Sequence, residues 1–213
     1  MSKPILYDYY RSSAAYRVRI ALGLKGIAYE SRPVNLAQAE QKQADYRALA
    51  PQGLIPMLEI DGHRLVQSLA ICDYLDAKVE EPRFVPSDPA DRSHVLALAL
   101  AVACDIHPLN NLRVLKYLTG PLGQDEDAKD AWYRHWITEG LGALEAMAAP
   151  RAGAFLFGDA PTLADICLVP QLYNARRFSV PIAQFPTLRR ADETASAHPA
   201  FAAAHPDRQE QPA

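Results

Sequence analysis

Cysteine is scarce in this chain and scattered: Cys72, Cys104 and Cys167 are the only three in 213 residues, and none belongs to a CxxC pair. Dithiol redox chemistry and a cysteine-rich zinc set are therefore unsupported, and no metal site is expected. Each thiol falls in a largely apolar helical stretch, which predicts buried, inert side chains in a reducing compartment. Basic charge is not in excess either. Lys and Arg number 22 against 25 Asp and Glu, and the net charge of −3 argues against nucleic acid as a partner. No long apolar run, charged-then-apolar leader or internal repeat is apparent, so a cytoplasmic protein without a membrane role is expected. With 49% of residues apolar and 22% charged, the composition is that of a globular protein, and the length permits one domain or two.

The first part of the chain alternates. Ile5 to Tyr9 reads as a strand, Ser13 to Leu24 as a helix with Tyr16, Ile20 and Leu24 on one face, and Ala28 to Val34 as a second strand. A polar segment rich in Gln and Ala follows. Next come an apolar strand at Ile55 to Ile60, the turn Asp61-Gly62, a short strand at Arg64 to Val66 and a helix from Ser68 to Ala77. The order is β-α-β-α-β-β-α, with Asp-Gly marking a hairpin between the last two strands. The run EEPRFVPSDPA, ending at Ala90, carries three prolines and no period, which reads as a linker. Beyond it the pattern is helical, at Val95 to Val102, Trp132 to Met147, Leu163 to Phe178 and Thr187 to Ser196. Domains are expected at 1–82 and 91–213, joined by 83–90. About the last dozen residues are expected to fray.

Arg11-Ser12-Ser13 stands where the first strand gives way to the first helix. Paired hydroxyls beside the free N–H groups of a helix N-terminus suit an anion or a thiolate, and Arg11 biases the spot positively. Taken alone, Ser12 is an ordinary N-cap. Gln67-Ser68 opens a second helix with polar side chains, and Pro56 leads into the strand before it. Thr162-Leu163-Ala164-Asp165 has capping-box spacing before an apolar run, which assigns Asp165 to folding. His107-Pro108 interrupts a helix that begins near Ser93, since proline removes one backbone bond and clashes with the preceding turn. A kink there aims His107, Asn111 and Arg113 toward a common site.

RSSAAYRVRIALGLKGI (11–27), QGLIPMLEIDGHRLVQSLAICDYL (52–75), CDIHPLNNLRVLKYL (104–118) and GDAPTLADICLVPQLYNARRF (158–178) together resemble the zeta class of the glutathione transferases, the maleylacetoacetate and maleylpyruvate isomerases. The likeness runs from Pro4 to Pro206. It implies a thioredoxin-like N-terminal domain with a C-terminal helical bundle, a homodimer, and glutathione as cofactor. It further implies glutathione-dependent cis-trans isomerisation of maleylacetoacetate in tyrosine or homogentisate breakdown, with maleylpyruvate as the alternative substrate. A transferase that conjugates glutathione to small electrophiles and a noncatalytic glutathione-binding relative are the other readings.

By the same resemblance, Ser12 donates to the glutathione thiolate, assisted by Ser13 and Arg11. Ile55 pairs its backbone with the extended tripeptide beside a cis Pro56, and Gln67 and Ser68 grip the γ-glutamyl carboxylate. Gln52 and His107 complete the cofactor set. Arg11, His107, Asn111, Arg113 and Arg177 are implied as partners of a small dicarboxylate substrate. Arg17, Arg19 and Arg190 are expected on the solvated surface. Many zeta enzymes carry a cysteine where this chain has Ala14. An isomerase whose nucleophile comes from glutathione does not need that thiol, so the change bears on side reactions.

Overall fold

The first apolar stretch forms β1 (Ile5–Asp8), buries Leu6 and Tyr7, and turns into α1 (Ser13–Leu24). The computed structural model describes residues 3–211. β2 (Glu30–Pro33) lies parallel to β1 on one side, and β3 (Met57–Ile60) pairs antiparallel on the other. β4 (His63–Val66) completes the order β2-β1-β3-β4. Asp61 and Gly62 between β3 and β4 both have positive φ, 53° and 80°, as a tight hairpin turn requires. β3 begins at Met57 because Pro56 has no N–H to give the ladder. With α2 (Ala44–Leu49) and α3 (Ser68–Lys78), the observed order is the alternation read from the sequence, a thioredoxin-like arrangement.

Contact patterns divide the chain into two units, one reaching Phe84 and taking in the stretch from Ala197 on, the other Val85–Ser196. The tail therefore departs from the expected 91–213 domain. α9 (Pro199–Ala204) lies on α1: Phe201 is fully buried, its carbonyl accepts from the Tyr16 hydroxyl at 3.5 Å, and Ala200 meets Gly23 so closely that a β-carbon there would stand 3.2 Å from Ala200 Cβ. Apolar burial holds this segment in place of the expected fraying. Pro212 and Ala213, the end of that expected stretch, lie outside the described residues.

Covered on several sides, α1 also buries Arg17 and Arg19, at 2% and 1% exposure, which corrects the expectation that both are solvated. Arg190 is exposed. Arg19 Nη1 reaches both carboxylate oxygens of Asp8 at 2.7 and 2.8 Å. Its Nε and Nη2 donate to the carbonyls of Ala204 and Tyr10, each at 3.0 Å. Lys25 is buried too, donating to Asp76 at 2.8 Å and to the carbonyls of Val79 and Pro82 at 2.6 Å.

In the second unit α4 (Pro89–Leu100) starts behind Asp88, whose carboxylate accepts from the N–H groups of Ala90 and Asp91. The expected linker 83–90 thus already contains a helix start, and its Phe84 and Val85 are buried. After α4 the backbone widens into a π turn, Ala101–Ile106, in which His107 N–H bonds to the Val102 carbonyl at 2.9 Å. The wider turn carries the chain into Pro108, whose ring would crowd the Cys104 carbonyl in a regular helix. It turns Val102 and Ile106 inward and leaves Cys104 exposed, correcting the expectation of three buried thiols; Cys72 and Cys167 are buried. Pro89–Thr119 as a whole is long and apolar enough to cross a membrane, which corrects the reading that no such run exists. Its apolar side is used within the unit, where Val95, Leu98, Ala99, Val102 and Ile106 are buried.

The remaining helices are α5 (Leu112–Thr119), α6 (Glu126–Ala148), α7 (Leu163–Arg177) and α8 (Pro186–Ala197). α7 opens with the capping box: Thr162 Oγ accepts from the Ala164 N–H, and Asp165 Oδ2 accepts from the Thr162 N–H at 2.8 Å. Asp165 Oδ1 also accepts from the Leu156 N–H at 2.8 Å. Burial pushes the Asp165 carboxyl up to about 6 against the pull of these donors.

Candidate functional site

Ser12 is the N-cap of α1, with extended φ and ψ of −69° and 115°. Its Oγ accepts from the Ala15 N–H at 3.2 Å. That bond occupies a lone pair and leaves the hydroxyl proton for another acceptor. Ser13 is buried beside it, while Arg11 is exposed with its guanidinium 4.7 Å from the Tyr10 ring centre. A hydroxyl donor at a helix N-terminus next to a cation favours an anion, a thiolate included.

The start of α3 forms the other half of this arrangement. Gln67 holds φ at 69°, a conformation that costs a non-glycine residue about 1–3 kcal/mol. Its Nε2 donates to Gln52 Oε1 at 2.7 Å, so the fold brings these two predicted residues together. Ser68 is buried in the first turn, and its Oγ accepts from Arg17 Nη1 at 3.2 Å. Arg17 is a residue that sequence reasoning missed; its place one turn beyond Ser13 in a helix apolar on most sides was the only signal. Ile55-Pro56 is cis. Just before it, the Leu54 carbonyl accepts from the Tyr46 hydroxyl at 2.8 Å, so α2 braces the loop that leads into β3. Burial, with the nearby Tyr7, pushes the Tyr46 hydroxyl well above its usual range.

The helical unit holds the other predicted residues. His107 is half-buried at the end of the π turn. Asn111 caps α5, its Oδ1 accepting from the Arg113 N–H at 3.1 Å, and the Arg113 side chain is exposed in the first turn. At the end of α7 two adjacent arginines differ in employment. Arg176 is ion-paired to the buried Asp192, whereas Arg177 is exposed, 5.9 Å from the Tyr173 ring and 5.8 Å from the Phe178 ring. Phe178 in turn stacks on Tyr133 at 3.6 Å, and burial pushes the Tyr133 hydroxyl up to about 12. Among the described residues no cluster of three His, Cys, Asp or Glu side chains could hold a metal ion.

Residues 6–83 match the glutathione S-transferase N-terminal domain, and residues 127–206 match the glutathione S-transferase C-terminal domain. A probable maleylacetoacetate isomerase of Vibrio cholerae is 50% identical over 98% of each chain. The holo structure of a maleyl pyruvate isomerase, a bacterial glutathione S-transferase in the zeta class, is 43% identical with a TM-score of 0.95, covering 98% of this chain and 100% of the other. A maleylacetoacetate isomerase from Anaeromyxobacter dehalogenans, solved with dicarboxyethyl glutathione and citrate in its active site, is 46% identical with a TM-score of 0.87, covering 97% and 96%.

Proposed function

The chain belongs to the zeta class of the glutathione S-transferase family, and from that premise we propose that it is a glutathione-dependent isomerase converting maleylacetoacetate to fumarylacetoacetate. We place it in the cytoplasm, as a homodimer, in aromatic amino-acid breakdown. The observation that carries the proposal is the Ser12 hydroxyl at the N-terminus of α1, with its proton left over from capping, in a chain 50% identical to a probable maleylacetoacetate isomerase.

The donors present suit a γ-glutamyl tripeptide. Ser12 donates to sulfur, the Ile55 backbone pairs with the extended peptide, and Gln67, Ser68 and Gln52 bind the γ-glutamyl end. When bound, glutathione supplies a thiolate that adds reversibly to the alkene and leaves after rotation about the resulting single bond, so it is not consumed. A free cysteine thiol has a reference pKa of about 8.5, and the Ser12 hydroxyl, the α1 N-terminus and Arg11 all lower the cost of its anion. Ser13 assists from its buried position. Arg11, His107, Asn111, Arg113 and Arg177 are assigned to substrate, the arginines to its carboxylates, with His107 shared with the cofactor. The dicarboxyethyl glutathione held by the Anaeromyxobacter relative supports a dicarboxylate partner for the tripeptide.

Incubation with maleylacetoacetate and a small fraction of an equivalent of glutathione tests the proposal. The fumaryl isomer should accumulate with glutathione recovered intact. Stoichiometric loss of glutathione into product would instead identify a conjugating transferase, and binding without turnover a noncatalytic relative. Maleylpyruvate is the second substrate to assay, since the zeta-class structure with the TM-score of 0.95 is a maleyl pyruvate isomerase.

A further inference from the structure

We infer that Arg17 is a positioning residue for an anion held at the N-terminus of α3, orienting Ser68 and supplying the counter-charge for the α-carboxylate of glutathione's γ-glutamyl residue. The inference rests on the glutathione reading above and deepens it.

Among the described residues of the first unit three cationic side chains are buried, and they are treated differently. Arg19 meets the Asp8 carboxylate and two carbonyls. Lys25 meets Asp76 and two carbonyls. Arg17, 2% exposed, has one hydrogen bond, Nη1 to Ser68 Oγ at 3.2 Å, and its Nε and Nη2 are buried without a partner among the described residues. No carboxylate of the described residues pairs with it. A buried guanidinium lacking a counter-charge is costly, and such a group in a native fold calls for an explanation.

Its surroundings supply one. The single bond it makes leads to the first turn of α3, an eleven-residue helix whose leading N–H groups and dipole already favour negative charge. By donating to Ser68 Oγ, Arg17 fills a lone pair of that hydroxyl and turns the O–H proton toward whatever the helix end receives. A carboxylate bound there would accept from Ser68 and offset the buried charge behind it. Arg17 thus acts through Ser68 and through its field.

The test compares two tripeptides on folded protein by calorimetry: glutathione, and γ-aminobutyryl-cysteinyl-glycine, which lacks only the α-carboxylate. Wild type should prefer glutathione. Arg17→Met should weaken glutathione by about tenfold or more while barely changing the analogue, so that the preference collapses. Arg17→Lys, which keeps the charge, should restore part of it. An arginine that only braces α1 against α3 would lower the melting temperature and leave the ratio of the two affinities intact, and an unchanged ratio overturns the inference. If Arg17→Met does not fold, Arg17→Gln keeps a donor for Ser68 without the charge, and the same ratio decides. A wild type that binds neither tripeptide would defeat the glutathione reading itself, an outcome distinct from an unchanged ratio.

Discussion

At Ser12 one oxygen accepts the Ala15 N–H and still has a proton to give. Ser12→Ala removes both, but the two losses differ in size. A cap deletion costs about 1 kcal/mol of stability, so the fold should survive. Isomerase activity should fall by well over an order of magnitude, and steady-state rates within twofold of wild type would remove Ser12 as the thiolate donor. The exposed arginines carry a different expectation. Arg177 is spared the ion pair that engages its neighbour Arg176, and Arg113 projects from the first turn of α5. Replacing either by Met should raise KM for the maleyl substrate about tenfold to hundredfold, the cost of a hydrogen bond to a charged group, with glutathione Kd almost unchanged. Glutathione titration beside the kinetics separates this from a structural role, which would lower thermal stability and leave KM alone. Their places at helix ends were legible in the sequence, whereas the roles tested here belong to the function proposed above and came from the resemblance of the longer motifs.

Helix ends and turns carry expectations of their own. The buried carboxyl of Asp165, raised to about 6, binds its proton more tightly folded than unfolded, where the ordinary value is 3.8. Its contribution therefore favours folding below about pH 4 and is lost as the pH rises through about 6. The stability of wild type relative to Asp165→Asn should decline over that window and level off above it, as denaturant midpoints would record. A carboxyl ¹³C titration with a midpoint near 4 would contradict this. Packing at the π turn is equally specific. A β-carbon at Gly140 of α6 would lie 2.2 Å from Ile106 Cγ1 and 2.6 Å from Cδ1. Gly140→Ala should cost about 1–3 kcal/mol by overpacking, and Ile106→Ala in the same chain should return part of it, a compensation measurable by a double-mutant cycle. Neither the turn nor this close approach was legible locally: Pro108 announced a break, but whether the helix kinks, ends or widens depends on what Val102 and Ile106 pack into.

Across the whole chain, the segment from Ala197 on belongs with the first unit, and removing it has a directional consequence. Truncation after His198 takes away Phe201 and the Ala204 carbonyl that Arg19 uses. Amides of α1 and β1 should then exchange faster with solvent while those of α6 and α7 keep their protection; equal loss in both units would show that the tail does not serve α1. The sequence by itself determined the β-α-β-α-β-β-α order, the Asp61-Gly62 turn, the Ser12 cap and the Thr162-Asp165 capping box, because periodicity, capping and turn chemistry act over a few neighbouring residues, while its class came from the resemblance of longer motifs. Only the tertiary structure decided that Arg17 and Arg19 are buried, that the last helix docks on α1 and that Cys104 faces solvent. Arg19 and the Ala204 carbonyl are 185 residues apart in the chain, and whether a charge is buried is set by what the fold lays across it, which no local pattern encodes.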